Sequence, residues 1–130
     1  STWKEISDET DRRRKRMVKH IVCYKFKDNS RENLDRATAA LLSMRFNVPQ
    51  VLSVEAGADF AGSARSYDLA LAVTLKSRED LEEYQKNEFH CKEVKPVMHE
   101  LTEKSVSVDF EFDQAFPVWG KVFLLRFYGK

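Results

Sequence analysis

The stretch from Tyr67 to Leu75 alternates as a strand does, yet it is apolar on both sides. Tyr67, Leu69, Leu71, Val73 and Leu75 fall on one face, and Asp68, Ala70, Ala72 and Thr74 on the other. His20 to Phe26 behaves similarly, with His20, Val22, Tyr24 and Phe26 on one face and Ile21 and Cys23 on the opposite one. Successive strand side chains point to opposite faces, so strands apolar on both faces need cover on both. The 130 residues suffice for one domain with a real core. Their helical stretches are too few to cover two faces of a sheet. A second copy of the chain is the expected cover, which makes the protein a homodimer.

Charge excludes several function classes. The 22 basic and 21 acidic residues leave a net charge of +1, so no overall field draws the chain to nucleic acid or a membrane. No apolar run approaches the length of a membrane span, and no apolar leader opens the sequence. Cys23 and Cys91 are too few for a disulfide framework and have no CxxC spacing. His90 and Cys91 are neighbours that do not aim easily at one metal ion from a helix, and His99 lies off the apolar stripe. Phosphate loops, nucleophile elbows and dinucleotide fingerprints are missing from the sequence. The expectation is therefore a protein of the reducing cytoplasm with no metal and no cofactor, and with no nucleic-acid or membrane partner.

The chain divides into three parts. Residues 1–16 carry acids at Asp8, Glu9 and Asp11, followed by the basic run Arg12 to Arg16; such a segment buries nothing and reads as a solvated tail. Met17 reads equally well as an alternative start, because patterned sequence begins directly after it. Residues 17–113 form the domain. Its first strand, about Val18 to Lys27, ends in Asp28-Asn29-Ser30, which also offers a helix cap. The helix that follows has the stripe Leu34, Ala37, Thr38, Leu41 and Leu42. Pro49 stops it, and Gln50 to Ala56 is a second strand. After the strand Tyr67–Leu75, the Ser77-Arg78-Glu79-Asp80 cap opens a short helix with Leu81 and Tyr84 inward. A second stripe runs through His90, Val94, Val97, Met98 and Leu101, with Pro96 kinking the helix or shifting its start. The last strand alternates Val106, Val108, Phe110 and Phe112 with Ser105, Ser107, Asp109 and Glu111.

The order β-α-β-β-α-β is that of ferredoxin-like α+β folds, an antiparallel sheet with two helices on one face. The open face is expected to pair with its copy, placing Leu69, Leu71, Val73 and the Val106 to Phe112 side between two sheets as an α+β barrel dimer. Residues 114–130 include Val118, Trp119, Phe123, Leu124 and Leu125 and are too apolar for a free tail. They read as an extra strand or hairpin on the sheet edge, or as an arm that crosses to a partner.

Several segments, in order, resemble one family. Met17-Val18-Lys19-His20-Ile21-Val22 with Phe26-Lys27 resembles the opening strand of stress-responsive α/β-barrel (Dabb) proteins. Val48-Pro49 with Val54-Glu55-Ala56-Gly57, and Tyr67-Asp68-Leu69-Ala70-Leu71, resemble the second and third strands. Leu81-Glu82-Glu83-Tyr84 with His90, Val94-Lys95-Pro96 and Val108-Asp109-Phe110 complete a match over about residues 17–112. The resemblance implies a dimeric ferredoxin-like barrel, usually of unassigned biochemical function. Some plant members bind or cyclise hydrophobic polyketide-like compounds with a tyrosine and a histidine, whose positions match Tyr84 and His90. This chain has Asn87-Glu88 where most relatives have His-Pro, and Asp68 where the plant cyclase has a histidine.

Tyr84 and His90 are six residues apart, about 240° on a continuous helix, so they meet only if the chain breaks between them. Asn87 tolerates such a break. His90 at the start of a new helix and on its core-facing stripe is expected to be a neutral imidazole, suited to a general base beside a tyrosine hydroxyl. His20, Val22 and Tyr24, with Asp68 and Ala70 if that face is also turned to the helices, are the expected ligand-binding residues. Three functions follow: binding of a small hydrophobic molecule between helices and sheet, a cyclase-like enzyme using His90 and Tyr84, or a non-catalytic stress or assembly protein. Binding ranks ahead of catalysis because Asp68 and Asn87-Glu88 depart from the plant pattern.

Overall fold

A computed structural model describes residues 16–113. The fold is that of the compact unit Met17–Glu111. Strand β1 (Arg16–Phe26) leads to helix α1 (Arg31–Leu42), a single turn α2 (Met44–Asn47) and strand β2 (Ser53–Ala58). Strand β3 (Leu69–Leu75), helix α3 (Arg78–Lys86), a π turn (His90–Val94), helix α4 (Lys95–Leu101) and strand β4 (Thr102–Asp113) complete it.

Local chemistry accounts for the boundaries. Ser30 caps α1 by accepting the Asn33 amide, and Ser77 caps α3 by accepting the Asp80 amide at 3.1 Å. Val48, the residue before Pro49, is extended (φ −123°, ψ 107°) because the proline ring disfavours a helical predecessor, and α2 ends there. Pro96 occupies the first turn of α4, where its missing N–H costs nothing. Just upstream the helix widens into the π turn, with the Lys95 N–H bonded back to the His90 carbonyl. A proline ring would clash with the Lys92 carbonyl in a tight α turn, and one extra residue relieves that clash.

The sheet order is β2-β3-β1-β4. Antiparallel pairing sets Val18 opposite Leu75, His20 opposite Val73, Val22 opposite Leu71 and Tyr24 opposite Leu69. In β2, Val54 pairs with Val73 and Ala56 with Leu71. Directly paired residues share a face, so Leu69, Leu71, Val73 and Leu75 lie with His20, Val22 and Tyr24. That face is the core. Its four β3 side chains are at most 2% exposed, packed with Ala37, Leu41, Tyr84, Met98 and Leu101 of the helices. Each of these leucines contributes ~1.5–3 kcal/mol by leaving water.

This register corrects one expectation. Leu69, Leu71 and Val73 are covered by the chain's own helices and are not left for a partner. The face away from the helices carries Ala70, Ala72, Ile21 and Cys23, with Lys19 donating to the Thr74 hydroxyl at 2.7 Å. Val106 and Val108 of β4 are 53% and 62% exposed. They alternate with Ser105 and Ser107, which line a cavity on the helix side together with His20 and Tyr24, so the valines point to the open face as expected. Larger apolar residues went under the helices, and alanines went to the other side. The expectations for residues 1–15 and 114–130 lie outside the described residues.

Candidate functional site

The helices and sheet do not close completely. Between them is a cavity of about 460 Å³ lined by His20, Val22 and Tyr24 from β1, Tyr84 from α3, and His90, Val94 and Met98 from the turn and helix beyond. The ends of α4 and β4 supply a polar margin that includes Lys95, Glu103, Ser105 and Ser107.

The break between Tyr84 and His90 builds the centre of this site. Helix α3 ends at Lys86, and Asn87 turns extended (φ −56°, ψ 135°). Its side-chain oxygen accepts the His90 amide at 3.0 Å and its carbonyl accepts the Cys91 amide, so Asn87 caps the next helical stretch. The reversal stacks the His90 ring on Tyr84, with centroids 4.5 Å apart and 29° between planes. His20 meets the same phenol edge-on at 5.5 Å. The three side chains are 8% exposed or less.

Their electrostatics differ. Burial first, then the nearby Lys95 and His20, lowers the His90 pKa to about 4, so its imidazole is neutral near pH 7. Its Nδ1 is sealed and has no hydrogen-bond partner among the described residues. Burial pushes the Tyr84 phenol well above its ordinary value, with Tyr24 and Asp109 adding to the shift. Burial likewise raises Tyr24 to about 12. His20 Nδ1 pairs with Asp109 Oδ1. A neutral imidazole, a protonated phenol and a carboxylate-held imidazole around one cavity can position a polar ligand group or move a proton on it.

The structure brings together His20, Val22, Tyr24, Tyr84 and His90. It does not bring Asp68 or Ala70 to them. Ala70 is exposed on the opposite sheet face, paired with Cys23 and Gly57. Asp68 sits at the entry to β3, where it accepts the Phe26 amide at 2.7 Å and the Asn29 side-chain amide at 3.1 Å. Burial opposes its ionisation, but these hydrogen bonds and Lys25 outweigh burial and lower its pKa. Its surroundings account for a structural role. Asp109 is the residue that sequence reasoning missed. The signal was its place among the polar alternates Ser105, Ser107 and Asp109 of β4, a row turned toward the helices. Among the described residues no group of three or more His, Cys, Asp or Glu is arranged to hold a metal ion.

The model of the stress responsive A/B barrel domain (Dabb) matches residues 18–112, which includes all three rings and Asp109. The chain belongs to this family. No curated protein matches it. Solved structures with the Dabb chain's fold include a dimeric ferredoxin-like protein of unknown function from Bacteroides fragilis, 23% identical, with a TM-score of 0.65 over 74% of this chain and 96% of that one. A dimeric ferredoxin-like protein of unknown function from Thermobifida fusca is 20% identical, with a TM-score of 0.65 over 75% and 92% of the two chains. A hydroxynitrile lyase from Passiflora edulis is 21% identical, with a TM-score of 0.65 over 78% and 97%. At these identities the likeness is one of fold. Among the described residues no helix of this Dabb protein is long and apolar enough to cross a membrane.

Proposed function

We propose that this Dabb protein is a homodimer, paired through the open face of its sheet, in which each subunit binds a small, largely apolar molecule between helices and sheet. The observation that carries the reading is the cavity of about 460 Å³, with Val22, Val94 and Met98 as apolar wall and His20, Tyr84 and His90 as convergent polar groups. Exposed Val106 and Val108 beside Ile21, Cys23, Ala70 and Ala72 support pairing of the open faces. Two similar solved proteins are described as dimeric, which supports the same assembly. Cys23 and Cys91 are free thiols, in keeping with a working place in the reducing cytoplasm.

Native mass spectrometry of the protein purified from its own cells tests both halves together. The expected result is a dimer mass with a retained small-molecule adduct. A monomer in sedimentation at micromolar concentration would remove the dimer, and a ligand that binds equally well after the cavity is filled by Val94→Trp would remove the pocket.

A second reading, catalysis, is favoured by the neutral His90 stacked on Tyr84. His90 would take a proton from an enolisable carbonyl compound while Tyr84 orients and donates to its oxygen. The lyase from Passiflora edulis supports it to the extent that this fold carries an enzyme there. Turnover of the retained ligand that is abolished in His90→Ala while binding persists would establish this reading. Binding without any chemistry would leave the first alone.

A further inference from the structure

Two features at opposite ends of helix α1 belong neither to the open face nor to the large cavity. The first is a knob. Just beyond the C-terminal end of α1, the single turn α2 is anchored by buried Met44, and buried Val48 follows it. Asn47 donates to the Ser43 carbonyl at 2.8 Å and fixes the turn. These anchors leave Phe46 facing outward, 84% exposed, with the Arg45 guanidinium 5.3 Å from its ring centroid. Arg45 has no carboxylate partner among the described residues. The second feature is a cleft of about 350 Å³ at the N-terminal end of α1. Leu34, Phe60 and Tyr67 give it apolar surface, and Lys25, Asp59 and Asp68 are its charged groups. Phe60 is 99% exposed, yet its loop is tied down. Asp59 accepts the Gly62 amide at 2.7 Å, Gly62 takes the φ of +59° that the turn requires, and Ser66 Oγ accepts the Ser63 amide at 3.0 Å.

Knob and cleft complement each other. Two carboxylates against one ammonium leave the cleft net negative, and Arg45 is the charged residue of α2. Arg65 is on the same loop as Phe60 but does not line the cleft. An aromatic ring with a cation on its face suits a cleft that offers two aromatic rings and two carboxylates. The twelve residues of α1 put about 18 Å of helix between the two features, so one subunit cannot bring its own knob to its own cleft. A contact between two different patches is heterologous, and the same step repeats from copy to copy instead of closing on a pair. We propose that α2 of one copy seats in the cleft of the next, so that the protein assembles end to end beyond its dimer. The open face and the ligand cavity take no part, so this contact stands or falls separately from both.

The test is sedimentation over a concentration series. The contact is small, so species heavier than the dimer are expected on concentrating the protein, and high salt should dissociate them. Phe46→Ser and Phe60→Ser change exposed residues, so circular dichroism and melting should match wild type. Each should raise the concentration at which association begins at least about tenfold, as Arg45→Glu should, whereas Arg45→Lys keeps the cation and most of the association. Mixing decides the geometry. The Phe46→Ser protein retains its cleft and the Phe60→Ser protein retains its knob, so the heavier species should return when the two are combined. Absence of any species above the dimer up to about 1 mM overturns the proposal. Association that survives both substitutions, or that the mixture fails to rebuild, overturns it as well.

Discussion

The His90 ring lies stacked on Tyr84, 4.5 Å between centroids, although six residues separate them and a continuous helix would turn them apart. The stack exists because Asn87 ends one helix and caps the next. Asn87→Ala removes the side-chain oxygen that accepts the His90 amide and is expected to cost ~1 kcal/mol in chemical denaturation. Asn87→Asp keeps that acceptor and should restore most of the loss. Equal stability of all three proteins would show that the cap is not what holds the turn.

The second prediction concerns acid. The His90 pKa falls to about 4 in the folded chain, against roughly 6.5 for a free imidazole. Between these values the unfolded chain binds a proton that the folded chain refuses, so stability falls as pH drops from about 6.5 to about 4. Above that window the contribution is fully present, and below it the loss is complete. His90→Gln removes the titrating ring, so the pH dependence of its unfolding free energy should be flatter than wild type through this window. Parallel curves for the two proteins would place the acid sensitivity elsewhere.

Opposite faces of the sheet should respond differently to one kind of change. Leu71 is 1% exposed beneath the helices, so Leu71→Asp puts a charge into the core and should unfold the subunit, with a loss of at least ~3 kcal/mol. Val108 is 62% exposed on the other face. Val108→Asp should leave circular dichroism and subunit stability within ~0.5 kcal/mol of wild type, yet convert the proposed dimer to monomer in sedimentation. A Val108→Asp protein that stays dimeric would move the contact surface off this face.

Pro96 should govern the shape of the π turn. Pro96→Ala supplies an N–H for the Lys92 carbonyl and removes the ring that a tight α turn would not accommodate. The helix is then expected to tighten by one residue and draw His90 off Tyr84. Nuclear magnetic resonance reads this directly, because stacking shifts the His90 ring protons upfield. Retention of that shift in Pro96→Ala would mean that the widened turn has another cause.

Alternation and capping residues made the element order legible, since period and helix stops are local properties. Which face of β3 turned inward was not legible. Leu69, Leu71, Val73 and Leu75 on one side and Ala70 and Ala72 on the other are both apolar, and a period of two carries no sign. Size decided it, because the larger side chains fill the space under the helices. Tyr84 and His90 were legible as a pair once Asn87 was read as a break. Asp109 was not, because an acidic residue on an edge strand looks like solvent-facing alternation until His20 is placed beside it. Asp68 misled for the converse reason: its partners, the Phe26 amide and Asn29, come from a turn more than thirty positions away in the chain.

The open face of the sheet also has relief. Gly57, Ala70 and Ala72 leave a shallow floor beside Glu55 along β2 and β3, and a side chain begun at Gly57 would meet no atom within 4 Å. Ile21, Val106 and Val108 rise along β1 and β4. In the proposed dimer a half turn would set the high side of one sheet over the low side of the other. The small residues on that floor would help to set the register of that dimer, beside Glu55 and Lys19 on the same face.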